Sequence, residues 1–442
     1  MTVAATAVAR TQRHAQESEF VLQKRCSAVL LKFGNQKMDQ AMSPQNEQAA
    51  PIPALTGMRF VAALMVFVSH YPIPGVGGAF KRMADSGYIG VTFFFILSGF
   101  VLAYNHLDAF EGDVRGSVIG YLVSRVARIY PLYLFCILLA WVSSGAGAAL
   151  PIYLLGLQAW SPDVYVAYGL DGPAWSISVE MFLYACFPIL IVGLHMLRVL
   201  RDSRRLFIAA AVVVTAMIGL ATFFALSGRG ALPSTDPMSA ARWIYRTPLT
   251  RLLDFMLGIF VAVYYLRFSA PLSRKTTKWI DRLVYFSIAA ILGTTAIKPM
   301  FASAFSFDVA YAIPFVLLIF GVAISRRTVL SRVMSCPPLI LLGEASFAFY
   351  LIHTMMRKVY ANEMTGPLLL MSYGMFLVIV IATSIGLHIV IEKPCRCFIR
   401  SVLAKRRFMD GGIAVRQPRK PLDATESSSP YADRAVGHSR DA

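Results

Sequence analysis

Two histidines and a glutamate lie within long apolar stretches of this sequence, where ionisable side chains are rare. His70 ends the stretch 54–71, His353 lies near the end of 338–356, and Glu180 is near the start of 175–197. Ionisable groups placed in this way usually mark function. A neutral imidazole accepts a proton readily near pH 7, and a carboxylate at the same depth is a second general-base candidate. We therefore predict that His70 and Glu180 are catalytic. The alternative for both histidines is a structural or interfacial position.

Four further charged residues lie near the opposite ends of the predicted helices, and two of them suggest an anion site. Arg59 lies eleven residues before His70, so the two share a helix face within about 20° and lie about 16 Å apart along the axis. Arg125 and Arg128 are three residues apart and are therefore helical neighbours, and two guanidinium groups on one face can hold phosphate oxygens. Glu392, in the sequence EKP, lies at the same depth and could pair with an arginine. The simpler alternatives are charged flanks that reach the water.

Other familiar chemistries lack support in this sequence. It contains no Walker A, HExxH, GxSxG or CxxCH motif. Cys395 and Cys397 form only a CxC pair, which is too little for a zinc site, so we predict no metal.

The composition shows which environment must position these residues. The chain has 442 residues, of which 57% are hydrophobic and only 15% charged. Its mean hydropathy is +0.60. A soluble domain has about 25% charged residues, so these values exclude a soluble enzyme, a disordered chain and a coiled coil. The net charge of +18 relates to membrane orientation, and we predict no nucleic-acid partner.

The apolar runs predict an all-α, polytopic bundle of about ten transmembrane helices. Residues 1–53 are predicted to be a mostly disordered or interfacial cytoplasmic segment, 54–400 the transmembrane domain, and 401–442 a disordered cytoplasmic tail. The run 148–158 is too short to cross and is predicted to be re-entrant or interfacial. The predicted spans are 54–71, 88–106, 129–143, 175–197, 206–226, 250–266, 283–298, 308–324, 338–356 and 368–391.

Positive charge sets the predicted orientation. With both termini in the cytoplasm, the short inner loops carry 15 Lys and Arg and the outer loops carry 7. Cytoplasmic loops carry the excess of positive charge, so this arrangement is favoured. It places Arg59, Arg125, Arg128 and Glu392 near the inner face and His70, Glu180 and His353 towards the outer face.

The order of motifs along residues 53–400 resembles the membrane-bound acyltransferase family 3, which includes bacterial polysaccharide and lipopolysaccharide O-acetyltransferases. One departure is Thr92, since many members carry Asp at this position. The absence of that acid puts a role for the position in doubt. The six matching segments are LTGMRFVAALMVFVSHY (55–71), GVTFFFILSGFVL (90–102), RVARIYPLYL (125–134), WSISVEMFLYACFPIL (175–190), LGEASFAFYLIH (342–353) and EKP (392–394).

This resemblance implies an integral-membrane O-acyltransferase of the bacterial cell membrane. The donor would be acyl-CoA, usually acetyl-CoA, as co-substrate with no bound cofactor. The acceptor would be a hydroxyl of a cell-surface polysaccharide or its lipid-linked precursor, with polysaccharide-assembly proteins as further partners. His70 would be the base or acyl carrier, with Glu180 orienting it. The other roles implied are donor binding by Arg59, Arg125, Arg128 and Glu392, and acceptor binding by Trp175 and His353.

Two alternatives remain open at this stage. The same family also acylates macrolides and other small hydroxylated metabolites. A proton-coupled transporter would also bury His, Glu and Arg in a helix bundle, although we see no clear internal repeat of the kind such proteins often show.

Overall fold

A computed structural model of the chain describes residues 51–110, 114–144, 150–269, 274–298, 303–356 and 367–409. The predicted domains 1–53 and 401–442 therefore lie largely outside the described residues. Within the described ranges the secondary structure is helical, which confirms the all-α prediction.

Nine helices in the described ranges are long and apolar enough to cross a membrane, and a bent helix pair raises the number to ten. This confirms the predicted bundle, and ten crossings place both ends of the described chain on one side. The ten spans, numbered in chain order, are Pro53–His70, Ile89–His106, Val114–Ser144, Ala174–Met196, Ser203–Leu226, Pro248–Arg267, Arg274–Ile297, Ser303–Ser306 with Val309–Ile324, Pro337–Glu344 with Ser346–Met355, and Pro367–Leu387 continued by a π-helical turn His388–Glu392 and the helix Lys393–Met409.

Local signals explain several helix starts. Proline occupies the first turn of spans 1, 6 and 9, where its missing N–H costs nothing. Asp202 caps span 5 by accepting a hydrogen bond from the backbone N–H of Arg204 at 2.9 Å. These residues mark the boundaries that the apolar runs leave uncertain.

Four spans differ clearly from the prediction. Span 7 begins at Arg274 rather than 283. Span 3 begins at Val114 rather than 129, so Arg125 and Arg128 lie well inside a 31-residue helix instead of at its start. The final helix runs to Met409, past the predicted domain end at residue 400. Span 9 breaks after Glu344 and bends by 59°.

Short helices and turns connect the spans. The described part of the run 148–158 contains the five-residue helix Leu150–Leu154 and the first residue of the 3-10 turn Gln158–Trp160, in agreement with a segment that does not cross. The remaining short elements are Gly78–Asp85, Gln158–Trp160, Val164–Ala167, Val199–Arg201, Arg229–Ala231, Ala241–Arg246 and Val329–Met334.

Small residues allow the spans that carry the polar groups to pack closely. A Cβ atom at Gly99 of span 2 would collide with the carbonyl oxygen of Phe255 in span 6. Gly258 stands in the same relation to Ile96 on span 2. Close backbone approach through small residues is the usual basis of helix packing in lipid. Gly99 and Gly258 therefore let the backbones of spans 2 and 6 approach closely.

Candidate active site

A cavity that is partly open to its surroundings lies between spans 1, 2, 3, 4 and 9. Its apolar lining comprises Val91, Phe94, Phe95, Ile129, Ile177 and Phe347. The polar and small residues that line it are Arg59, Ser98, Arg128, Ser176, Glu180, Gly343, Glu344, Ser346 and Tyr350.

Two arginines face this cavity without partners in the described part of the chain. Neither Arg59 nor Arg128 forms a hydrogen bond or ion pair with another described residue. The two guanidinium groups repel each other, and Glu180 and Glu392 partly offset the charge at Arg59. Buried or partly buried arginines are normally paired. Their arrangement therefore suits an anionic ligand.

Arg125 does not join this pair. It is 7% exposed, its guanidinium stacks 5.7 Å from the Tyr121 ring centre, and its Nε donates to Ser124. Residues three apart on a helix differ by about 60° in direction, which is enough to turn Arg125 away from the cavity. The structure places Arg128 and Arg59 together at the cavity, and a donor-binding role of Arg125 stays a prediction.

Glu180 lies on span 4, within the predicted apolar stretch 175–197, and its side chain lines the cavity. It accepts hydrogen bonds from the Tyr184 hydroxyl and from Ser98 Oγ, the latter at 3.4 Å. The predicted contact in which Glu180 orients His70 is not among the hydrogen bonds of the described residues. In this structure Glu180 lies at the cavity that Arg59 and Arg128 also line.

His70 meets His353 at the other end of span 1. Nδ1 of His70 is 2.8 Å from Nε2 of His353, and the two rings stack with centres 5.1 Å apart. Nδ1 of His353 is in turn 2.7 Å from the Tyr350 carbonyl oxygen. His70 is exposed, whereas His353 is 0% exposed. In this structure the His353 ring contacts His70 and the Tyr350 carbonyl, and the acceptor-binding role of His353 stays a prediction.

Trp175, for which acceptor binding is predicted, is buried in this structure. It is 3% exposed and packs against Tyr168 and Tyr245, with ring centres 6.2 and 5.0 Å away. The stacking of Trp175 against a sugar would require Tyr168 or Tyr245 to move. In this structure its contacts are those of a core residue.

Glu392 pairs with a histidine that the sequence analysis missed. Its Oε2 lies 2.9 Å from Nδ1 of His388, one π-helical turn earlier. Nε2 of His388 is 3.8 Å from Glu344, which lines the cavity. Glu392 therefore reaches the arginines only as a nearby charge. The signal for His388 was its position in the same apolar stretch.

A fully buried ionic cluster was missed as well. Arg251 in span 6 lies 2.7 Å from Asp254 and 2.9 Å from Asp308, and it donates to Thr92 Oγ1 at 3.1 Å. Two charges three residues apart inside the predicted span 250–266 were the available signal. Thr92, where many family members carry Asp, thus faces an arginine that already has two carboxylates.

Asp171 is a buried acid in the segment before span 4. It is 2% exposed, Oδ1 accepts from Thr354 Oγ1 at 2.7 Å, and Oδ2 has no partner among the described residues. Burial raises the pKa of Asp171 to about 7, against the opposing effect of the Thr354 hydrogen bond. It anchors the end of span 9 next to His353.

Comparisons with known proteins agree with this arrangement of motifs. The family model described as an acyltransferase domain matches residues 52–391. The acyltransferase MdmB of Streptomyces mycarofaciens is 32% identical over 78% of this chain and 91% of its own length. No solved structure matches the chain.

Two other relatives are more distant and considerably longer. The O-acetyltransferase OatA of Staphylococcus aureus is 22% identical over 68% of this chain and 50% of its own length. The putative peptidoglycan O-acetyltransferase YrhL of Bacillus subtilis is 23% identical over 78% and 55%. The chain therefore spans about half the length of these two proteins.

Proposed function

The chain belongs to the acyltransferase domain family, and from this premise we propose that it moves an acetyl group from acetyl-CoA to a hydroxyl of a cell-surface polysaccharide or its lipid-linked precursor. It is a multi-pass membrane O-acyltransferase. The donor, the acceptor and a location in the cell membrane of a bacterium are parts of this proposal. The names of OatA and YrhL, which are O-acetyltransferases, support acetyl as the group.

The observation that carries the proposal is the cavity with its two unpartnered arginines. The phosphates of CoA supply the negative charge that Arg59 and Arg128 lack in the described chain. Phosphate and guanidinium form strong charge-assisted hydrogen bonds. The apolar lining from Phe94, Phe95 and Phe347 suits the pantetheine arm and the acyl group.

The reaction at the outer end follows from the position of His70. Nε2 of His70 takes the proton from the acceptor hydroxyl as its oxygen attacks the thioester carbonyl carbon. The tetrahedral intermediate then breaks its C–S bond, and the CoA thiolate leaves. The proton held by His70 passes to that thiolate, so the products are the ester and CoA thiol, and His70 is again neutral.

The test uses purified protein in nanodiscs with radiolabelled acetyl-CoA and a glycan extract. We expect the wild-type protein to release CoA and label the glycan, and His70→Ala to lose both activities by at least 100-fold. Arg205→Gln is the control, because Arg205 is half exposed and pairs with Asp202 on the surface. Normal transfer by His70→Ala would show that His70 is not the base.

The acceptor is tested in the same assay. A panel of a polysaccharide, a lipid-linked oligosaccharide and a macrolide replaces the crude extract. Transfer to the macrolide alone would replace the polysaccharide proposal with the small-metabolite alternative. The absence of acetyl-CoA binding and turnover with every acceptor would contradict the proposed donor.

A further inference from the structure

The hydrogen bonds of the histidine pair determine which nitrogen of each ring carries a proton. The Tyr350 carbonyl oxygen can only accept, so Nδ1 of His353, 2.7 Å away, must donate to it. His353 is 0% exposed, and a charged imidazole without a carboxylate partner is costly to bury. A neutral His353 that donates from Nδ1 has its lone pair on Nε2.

The same reasoning extends to His70. Nε2 of His353 lies 2.8 Å from Nδ1 of His70, so Nδ1 of His70 must donate. A neutral His70 with its proton on Nδ1 has its lone pair on Nε2. That nitrogen belongs to the exposed ring, whereas the nitrogen bonded to His353 faces the buried one.

We propose that His353 is a positioning residue that holds His70 in the tautomer whose Nε2 accepts the proton of the acceptor hydroxyl. This inference rests on the proposed function, because it assigns a partner to the proposed base. A buried carboxylate or carbonyl often fixes the tautomer of a catalytic or metal-binding histidine. Here the Tyr350 carbonyl fixes the tautomer of His353, and His353 in turn fixes the tautomer of His70.

Besides Tyr350, the backbone of Phe349 also forms a hydrogen bond with the His353 ring, and a backbone carbonyl can only accept there. Phe67 of span 1 and Phe349 pack around the imidazole. The Tyr71 hydroxyl donates to the backbone carbonyl of His353 and not to its ring.

The remaining titratable groups near this pair also bond elsewhere. The Tyr350 hydroxyl bonds Ser176, the Tyr373 hydroxyl donates to the Tyr71 carbonyl, and Asp171 bonds the neighbouring Thr354. The hydrogen-bond partners of the His353 ring are therefore backbone carbonyls on one side, those of Tyr350 and Phe349, and His70 on the other.

Two substitutions of matched polarity separate positioning from packing. In His353→Gln the amide oxygen reaches the place of Nε2 and can accept from His70. In His353→Asn the shorter side chain can donate to the Tyr350 carbonyl but stops short of His70. We expect Gln to retain kcat within about tenfold and Asn to lose at least 100-fold, since a wrong tautomer has cost a serine protease about 10⁴-fold. The KM for the acceptor should change little in both variants.

The controls separate failure of this inference from failure of the proposed function. Thr354→Val removes a hydrogen bond from the adjacent residue and should keep kcat near the wild-type value.

Loss of activity in His70→Ala together with full kcat in His353→Asn would overturn the positioning role and leave the base in place. A raised acceptor KM with unchanged kcat in His353→Asn would support acceptor binding by His353 instead of positioning. Equal losses of kcat in Gln and Asn, with thermal stability retained, would refute the inference as well. Full activity in His70→Ala would show that His70 is not the base and would therefore contradict the proposed function.

Discussion

Replacement of Arg128 by glutamine tests whether the cavity binds the phosphates of the donor. Arg128 lines the cavity beside Arg59 and has no hydrogen-bond partner in the described chain. Hydrogen bonds to charged groups are worth about 1.5–3 kcal/mol each. The loss of one such bond should raise the Kd for acetyl-CoA by about 10- to 150-fold.

The assay compares two donors by isothermal titration calorimetry in detergent. S-acetylpantetheine contains the thioester and the arm of acetyl-CoA but lacks the nucleotide and its phosphates. Arg128→Gln should weaken binding of acetyl-CoA and leave binding of S-acetylpantetheine unchanged. Arg125→Gln is the matched comparison, because Arg125 lies three residues earlier and stacks on Tyr121 instead of lining the cavity.

In the absence of donor, the same substitution should stabilise the protein. Arg59 and Arg128 repel each other, so removal of one charge relieves a destabilising interaction. We expect a higher Tm for Arg128→Gln than for the wild-type protein in the absence of donor, and a smaller increase on addition of acetyl-CoA. Equal weakening for both donors, or a larger effect from Arg125→Gln, would refute the reasoning.

Two further predictions concern stability. Burial raises the pKa of Asp171 to about 7, so the folded state binds this proton more tightly than the unfolded state. Its stabilising contribution is complete below pH 4 and is lost as the pH rises to 7, by up to about 4 kcal/mol. The Tm of the wild-type protein should therefore fall over this range more steeply than that of Asp171→Asn, and parallel profiles in a thermal-shift series would contradict the assignment. Gly99→Ala should lower the Tm by several degrees, because the new Cβ meets the Phe255 carbonyl; Gly219→Ala, which meets nothing within 4 Å, is the control.

The length of the apolar runs was enough to predict the spans. In lipid every backbone polar group must be bonded within the protein, so an uninterrupted apolar run of about 20 residues has few alternatives to a helix. The break in span 9 gave no such signal. Ala345 is a good helix former, and the bend depends on how the halves pack, with Gly343 against the Thr56 carbonyl of span 1.

The composition of the site was easier to predict than its pairings. His70, Arg59 and Glu180 were identified because charge is costly in lipid. Their depths along the helix axes could be estimated, but rotation and neighbours could not. His70 and His353 are 283 residues apart, and their contact depends on spans 1 and 9 packing side by side. Arg251 and Asp254 carried the same signal as Arg59 and were overlooked because they neutralise each other locally.

Tyr350 connects the two halves of the proposed site. Its ring lines the cavity, its hydroxyl bonds Ser176 at 2.9 Å, and its carbonyl accepts from His353. His70 is absent from the described residues that line the cavity, whereas Tyr350, three residues before His353 on the same helix, lines it. Arg59 and His70 are separated by about 16 Å along span 1. A donor fixed by its phosphates at Arg59 would therefore present its acyl group at the Tyr350 end of the cavity, while the acceptor approaches His70 from the exposed side.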